Sequence, residues 1–391
     1  MKMGAPKRVL LIEINEDGTV GGSHQCLLDL VERVDRHRFE PHVLFYQDSR
    51  FVRAVASRGI DVHVWDEVRA GERARTFEGG ALRKIESSIR LLFGIVRRYR
   101  FLKRQRIDLV HLNNNPCIGF DDWLPASRLA RIPIVAHARG PWFDPGSRWT
   151  HWATRKFDRV VAISDFVAGT LERAGIPRRL IRRVYDGIDL ARWTPRSPPG
   201  TPGGQAGDRV EAVMVGHLRS WKGQDVVLAA LAMMSPEARA SLMVRFVGEA
   251  PASDRDYATS LENFVREHRL GDCVEFTGYV PDPRPLLERA QIVLHASTLP
   301  EPFGLVVVEG MALGKAVVAS NHGGPAEIIR EGEGLLFDPK NPQELAGHLS
   351  RLANSPSLRS ELGRGAIERA REFGADRTAS EVAEVWQAVL G

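Results

Sequence analysis

Cysteine is scarce: the 391 residues hold three, Cys26, Cys117 and Cys273. They stand far apart with no CxxC pair and no Cys/His cluster, so the chain encodes neither a disulfide framework nor a zinc site. A reducing, cytoplasmic setting is therefore expected. Apolar runs near the roughly 20 residues that span a bilayer are also missing, which argues against a membrane-crossing helix. The start, Met1 to Arg8, is basic, but the apolar stretch after it, Val9 to Ile14, is short and broken by Glu13, unlike a signal-peptide core. No repeat recurs at the periods of about 20 to 50 residues that mark solenoids and propellers. Nucleic acid is not an expected partner, because net charge is only +5 and basic residues do not interleave with aromatics.

What is present is 43% hydrophobic and 26% charged sequence, enough for a soluble chain of two domains. Charge is divided unevenly. Residues 1–190 carry 33 Lys and Arg against 23 Asp and Glu, whereas residues 191–391 carry 21 against 26. The basic first half points to an anionic partner, or simply to a well-solvated surface.

Short β-branched runs, each followed by a stretch with helical spacing, predict parallel sheets with crossover helices. The first-half strands are expected at Val9 to Ile14, Pro41 to Tyr46, Asp61 to Trp65, Ile107 to Asn113, Pro133 to Ala138 and Arg159 to Ser164. The second half repeats the plan at Val210 to Gly216, Leu242 to Gly248, Val274 to Tyr279, Ile292 to Ala296, Ala316 to Ser320 and Gly334 to Phe337. Between them Trp193 to Asp208 holds four prolines and four glycines, a composition that resists both helix and ladder and reads as a linker. The expected division is residues 1–192, linker 193–208, and 209–374, with 375–391 joining the first domain. Two doubly wound domains facing across a cleft would bring the carboxyl ends of both sheets to a ligand.

The stretch Glu301 to Ala312 is the most informative. Pro302 suits a first helical position, Gly304 permits close ligand approach, and free N–H groups at a helix start favour phosphate. From Phe303 to Leu313 the predicted helix is apolar except for Glu309, whose buried carboxylate needs a partner: a diol such as ribose, or an arginine. Val215 to Gln224 leaves a predicted strand for a helix near Gly223, with Lys222 as a point charge for phosphate or merely solvated. Asp17 to His24 opens the first helix but is not GxGxxG, which argues against a dinucleotide fingerprint; its N–H groups either cradle an anionic or sugar group or belong to an ordinary tight turn. His137 closes its strand, so its imidazole is expected either to face the cleft and contact a ligand or to be structural. Asp121-Asp122 is a weak match to a metal-binding acidic pair. Leu82 to Arg106 carries nine basic residues and one acid, Glu86, with Ile85, Ile89, Leu92, Val96 and Tyr99 at helical spacing. The stripe is expected to pack on its own sheet and the basic face to meet an anionic membrane. Trp142, Trp149 and Trp152 offer aromatic faces either for stacking on a sugar ring or for core or rim packing.

Glu301 and Glu309 with Phe303-Gly304-Leu305 between them, the Gly216 to Gly223 loop, Gly323-Gly324-Pro325-Ala326-Glu327 and Asp186-Gly187-Ile188-Asp189 together resemble glycosyltransferase family 4. Gly21-Gly22, His137 and Val161-Ala162-Ile163-Ser164 extend the likeness into the first half. The resemblance implies a GT-B fold of two Rossmann-like domains and a retaining enzyme of polysaccharide biosynthesis. Its donor would be a nucleoside diphosphate sugar, UDP-sugar before GDP-mannose, held by the second domain, with no metal and no bound cofactor. A glycan, lipid-linked or small hydroxylated acceptor would be held by the first.

By the same resemblance Lys222 neutralises the diphosphate, Glu309 binds ribose, Glu301 binds the transferred sugar and His137 approaches it. Gly216, Phe303, Gly304 and Leu305 line the donor, with Gly21 and Gly22 near the diphosphate. Where the family usually has Arg after the glycine, this chain has His217; Arg219 or a protonated His217 takes that role. A nucleotide-sugar epimerase and a catalytically weak binding module are the alternatives. The last segment, Ala375 to Leu390, is expected to be a helix returning to the first domain.

Overall fold

Strand formation follows the apolar runs. The computed structural model describes residues 5–13, 22–65, 81–113, 123–141, 155–195 and 209–391. The chain divides into two compact units, Met1–Gly187 with Ala375–Gly391, and Ile188–Gly374. In the first, β1 (Lys7–Glu13), β2 (Phe39–Phe45), β3 (Asp61–Val64), β4 (Leu109–Asn113), β5 (Ile134–Ala138), β6 (Arg159–Ala162) and β7 (Ile181–Arg183) form one parallel sheet. Its order is β3-β2-β1-β4-β5-β6-β7. Central β1 is paired on both sides, Leu11 opposite Val43 and His111, and Val9 to Ile12 are fully buried. An apolar run without alternation is what a strand covered on both faces requires.

The second unit repeats the plan with β8 (Val210–Val215), β9 (Leu242–Val247), β10 (Val274–Gly278), β11 (Ile292–His295), β12 (Ala316–Ser320) and β13 (Leu335–Phe337), in the order β10-β9-β8-β11-β12-β13. In both sheets the winding direction reverses once, between β1 and β4 and between β8 and β11. Ligands of doubly wound folds bind beyond the strand ends at such a reversal. The expected α/β class is therefore observed, and β7 is an addition: an edge strand of three residues, two of them arginine.

The helix Ala375–Leu390 packs in the first unit, burying Ala379, Val382, Val385 and Trp386 against a core that includes Leu27, Val31 and Phe39. Trp386 meets Phe39 edge-on, ring centroids 5.3 Å apart. Within the second unit, Ile188 and Gly374 form a parallel bridge, and the Ile188 N–H donates to the Phe373 carbonyl (2.9 Å).

Two local expectations are corrected. The glutamate-bearing helix is Leu305–Ala312, not Phe303 to Leu313, and Pro302 lies before it. Glu301 is held in an extended bridge to Gly323, with the Gly324 N–H donating to its carbonyl (2.8 Å), so the helix cannot begin at Pro302. The basic helix Ala81–Gln105 buries Arg98 and Leu102 but exposes Ile89, Leu92 and Phe93, so that part of the stripe does not pack on the sheet. Among the described residues no helix is long and apolar enough to cross a membrane. Most of the predicted linker, residues 196–208, together with Gly21, Asp121-Asp122, Trp142, Trp149 and Trp152, lies outside the described residues.

Candidate functional site

Three loops at the carboxyl end of the second sheet converge, those leaving β8, β11 and β12. After β8 the chain runs through Gly216 and a short 3-10 turn, Ser220–Lys222, to Gly223, which caps the helix Gln224–Met233. Gly223 has φ +78°, and a Cβ there would lie 1.9 Å from the Ala296 carbonyl oxygen, so this loop is pressed against the end of β11. The Trp221 carbonyl accepts the Thr298 N–H (2.8 Å), and the Gln224 amide donates to the His217 carbonyl (3.0 Å). Backbone bonds thus fix the base of Lys222.

Lys222 reaches Glu301 across this junction, Nζ to Oε2 2.7 Å, while its ammonium lies 4.0 Å from the Trp221 ring centre. The same Oε2 accepts from Ser297 Oγ (3.1 Å) and lies 3.6 Å from His295 Nε2. Ser297 is fixed in turn, its carbonyl accepting from Ser320 Oγ and bonded to His322 Nε2, both at 2.8 Å. Burial raises the Glu301 carboxyl, but the Lys222 ammonium and then His295 outweigh it and hold the group well below the usual carboxylate range. Glu301 is therefore an anion with one face already committed.

Glu309 behaves differently. Gly304, at φ +107°, caps the helix Leu305–Ala312, and Phe303 before it is buried against Phe373. Leu305 and Val306 N–H groups have no acceptor among the described residues, as expected at a helix start. One turn on, the Glu309 carboxylate makes no hydrogen bond or ion pair among those residues. Arg192, the arginine nearest in electrostatic effect, is engaged by Asp282 at 3.1 Å. Burial dominates and pushes the Glu309 carboxyl up to about 7, with Arg192 lowering and Asp282 raising it to a smaller extent. The arginine salt bridge left open by the sequence is not formed.

The residues expected at the diphosphate are divided. Lys222 is in the cluster, but Arg219 turns toward Asp254, Nε to Oδ2 4.0 Å, with that Nε buried and without a hydrogen bond. His217 is exposed, and among the described residues only its backbone is engaged. Gly22 is the exposed first residue of its helix, Gly22–Arg33.

In the first unit, His137 is fully buried at the end of β5 rather than on an open face. Its Nδ1 lies 3.3 Å from His111 Nε2, and His111 Nδ1 accepts from Trp386 Nε1 (2.9 Å). Beside it runs a buried polar chain that the sequence reading missed. Asn113 donates to Glu13 (2.6 Å) and accepts from Arg139 Nε (3.1 Å), and Arg139 is ion-paired with Asp186. The signals were an acid inside an apolar strand, Glu13, and an amide closing another, Asn113. Their partners become neighbours only through the sheet order.

Each half of the chain matches a glycosyltransferase family model. Residues 20–192 match the family model described as Glycosyltransferase Family 4, and residues 202–369 match Glycosyl transferases group 1. D-inositol 3-phosphate glycosyltransferase of Thermomonospora curvata is 32% identical over 66% of this chain and 64% of that protein, less than two thirds of its length. The Streptomyces avermitilis protein of the same name is 25% identical over 98% of this chain and 88% of that one. Anabaena HepE, crystallised with UDP, superposes with a TM-score of 0.79 at 24% identity over 97% of this chain and all of that one, a likeness of fold.

Proposed function

This chain belongs to glycosyltransferase family 4 and has the GT-B fold, and from that premise we propose that it transfers a hexosyl group, with retention of configuration, from a nucleoside diphosphate sugar. UDP-sugar is the favoured donor, since HepE was crystallised with UDP and with UDP-glucose. The acceptor is a small hydroxylated molecule bearing phosphate, in keeping with the relatives' name and the basic surplus of residues 1–190.

The observation that carries this reading is Glu309, a largely buried carboxylate with no partner beside a bare helix start. A ribose supplies the two donors it lacks, and the diphosphate supplies acceptors to Leu305 and Val306. Glu301, already bonded by Lys222 on one oxygen, accepts from hydroxyls of the transferred sugar. In the reaction the bond from the anomeric carbon to the diphosphate oxygen breaks, and a bond to the acceptor oxygen forms on the same face. The acceptor proton passes to the departing diphosphate. Charge growing on that diphosphate is met by Lys222 and by the helix N–H groups, fixed donors worth about 3 kcal/mol each when well placed.

Turnover of UDP-glucose with D-inositol 3-phosphate, followed by NMR of the product's anomeric proton, tests the reading. An axial donor linkage kept in the product supports it; release of a free isomerised sugar points to an epimerase instead. Lys222→Ala should lower kcat about 100-fold. Unchanged turnover at saturating donor would remove Lys222 from the mechanism.

We also propose peripheral contact with anionic lipid through the helix Ala81–Gln105. The support is Leu92 and Phe93, 62% and 72% exposed, on a helix rich in Arg and Lys. Phe93→Asp with Leu92→Asp should abolish partitioning to vesicles containing phosphatidylserine. Equal binding by the variant would sink the membrane contact.

A further inference from the structure

The buried histidine pair of the first unit specifies where a proton sits. An indole N–H can only donate. Trp386 Nε1 donates to His111 Nδ1 at 2.9 Å, so that nitrogen carries a lone pair. Burial, aided by the positive charge of Arg139, pushes His111 down to about 3, and the same causes together with His111 itself hold His137 well below its ordinary value. Both rings are therefore neutral near pH 7. The proton of His111 must then be on Nε2, and Nε2 faces His137 Nδ1 at 3.3 Å. His137 Nδ1 accepts, which leaves the His137 proton on Nε2.

That Nε2 is fully buried and has no hydrogen-bond partner among the described residues. Among the described residues no acceptor of the polar chain alongside, Glu13, Asn113 or Asp186, lies within hydrogen-bond reach of it. A buried N–H left without an acceptor is unfavourable in the isolated protein. Such a donor has a use when an accepting oxygen is delivered to it.

We propose that Trp386 and His111 are positioning residues that lock His137 as a neutral Nε2–H donor toward an oxygen of the carbohydrate substrate. The inference rests on the glycosyltransferase reading for the identity of that oxygen, but not for the proton assignment. With Trp386 absent, His111 is free to carry its proton on Nδ1. Its Nε2 would then accept from His137, and His137 Nε2 would present a lone pair to the substrate oxygen. The C-terminal helix, remote in sequence from β4 and β5, thus sets the hydrogen-bonding sense of a side chain at the end of β5.

The test is long-range 1H–15N correlation NMR on protein labelled with 15N-histidine, with the His137 signals identified by their loss in His137→Gln. His137 should be in the Nε2–H form in the unsubstituted protein and should shift toward a mixture of forms in Trp386→Phe and in His111→Leu. His111→Gln, which can both accept from Trp386 and donate to His137, should restore the Nε2–H form. Transfer should follow: kcat falling about tenfold in Trp386→Phe and His111→Leu, with donor KM within about twofold, and recovering in His111→Gln. Should Trp386→Phe fail to fold, the two His111 variants carry the comparison. A His137 found with its proton on Nδ1, or a ring form indifferent to both Trp386→Phe and His111→Leu, would overturn the assignment. Absence of transfer by the unsubstituted protein would overturn the functional reading, while the spectra still decide the proton position.

Discussion

Glu309 is an acid carried into an otherwise apolar helix, and its titration has a definite sign. Its carboxyl is raised to about 7, chiefly by burial, so the folded protein holds a proton that the unfolded chain has lost. That contribution to stability is complete below the unfolded value near 4.5 and is lost as pH rises through about 7. Melting temperature should therefore fall between pH 5 and 8 more steeply in the unsubstituted protein than in Glu309→Gln, as differential scanning calorimetry can measure. UDP should act in the opposite sense. On the proposed donor site its ribose hydroxyls would stabilise the ionised carboxylate, so affinity should rise through the same window, and Glu309→Gln should weaken binding by 10- to 100-fold at pH 8. Calorimetric titration at pH 6 and pH 8 would show whether the two curves diverge.

Among the elements, the loop between β8 and its helix is held by steric contact as much as by bonds. Gly223→Ala places a methyl group on the Ala296 carbonyl in a backbone conformation that L-residues avoid. A loss of at least about 2 kcal/mol in urea unfolding is expected, with the position of Lys222 disturbed. The strands themselves were legible, because short β-branched runs alternate with stretches of helical spacing, the pattern of a parallel sheet with crossover helices. β7 was not, because Ile181–Arg183 is too short and too basic to show a period. The start of the Glu309 helix was misplaced for another reason. Pro302 is a fair opening residue, but the bridge from Glu301 to Gly323, remote in sequence, holds the chain extended until Gly304. Periodicity likewise identified the apolar side of Ala81–Gln105 without revealing what covers it, and Leu92 is bare. As candidates, Lys222 and Glu309 could be picked out from the sequence and Glu301 from the family resemblance, whereas the pairing of Lys222 with Glu301 and the isolation of Glu309 needed the fold. The chain from Glu13 to Asp186 was illegible because its members meet only through strand order.

At the scale of the whole molecule, the chain leaves the first unit after Gly187 and re-enters it at Ala375. The points of departure and return are tied together, since Ile188 is bridged to Gly374 and bonded to Phe373. Gly374 itself is closely packed, a Cβ there lying 3.0 Å from Leu190. In genetic terms the second unit is therefore a cassette spliced into the first, with both ends at one place. Such a cassette should be separable. Residues 188–374 expressed alone should fold cooperatively and bind UDP within about tenfold of the full chain, since Lys222, Glu301 and Glu309 all travel with it. A fragment that folds yet fails to bind would show that donor recognition draws on the first unit. The complementary splice, Gly187 joined by a few residues to Ala375, would leave a small sheet protein that retains Trp386, His111 and His137. The two halves of the chemistry would then lie in separate polypeptides, each open to recombination with the partner unit of a relative.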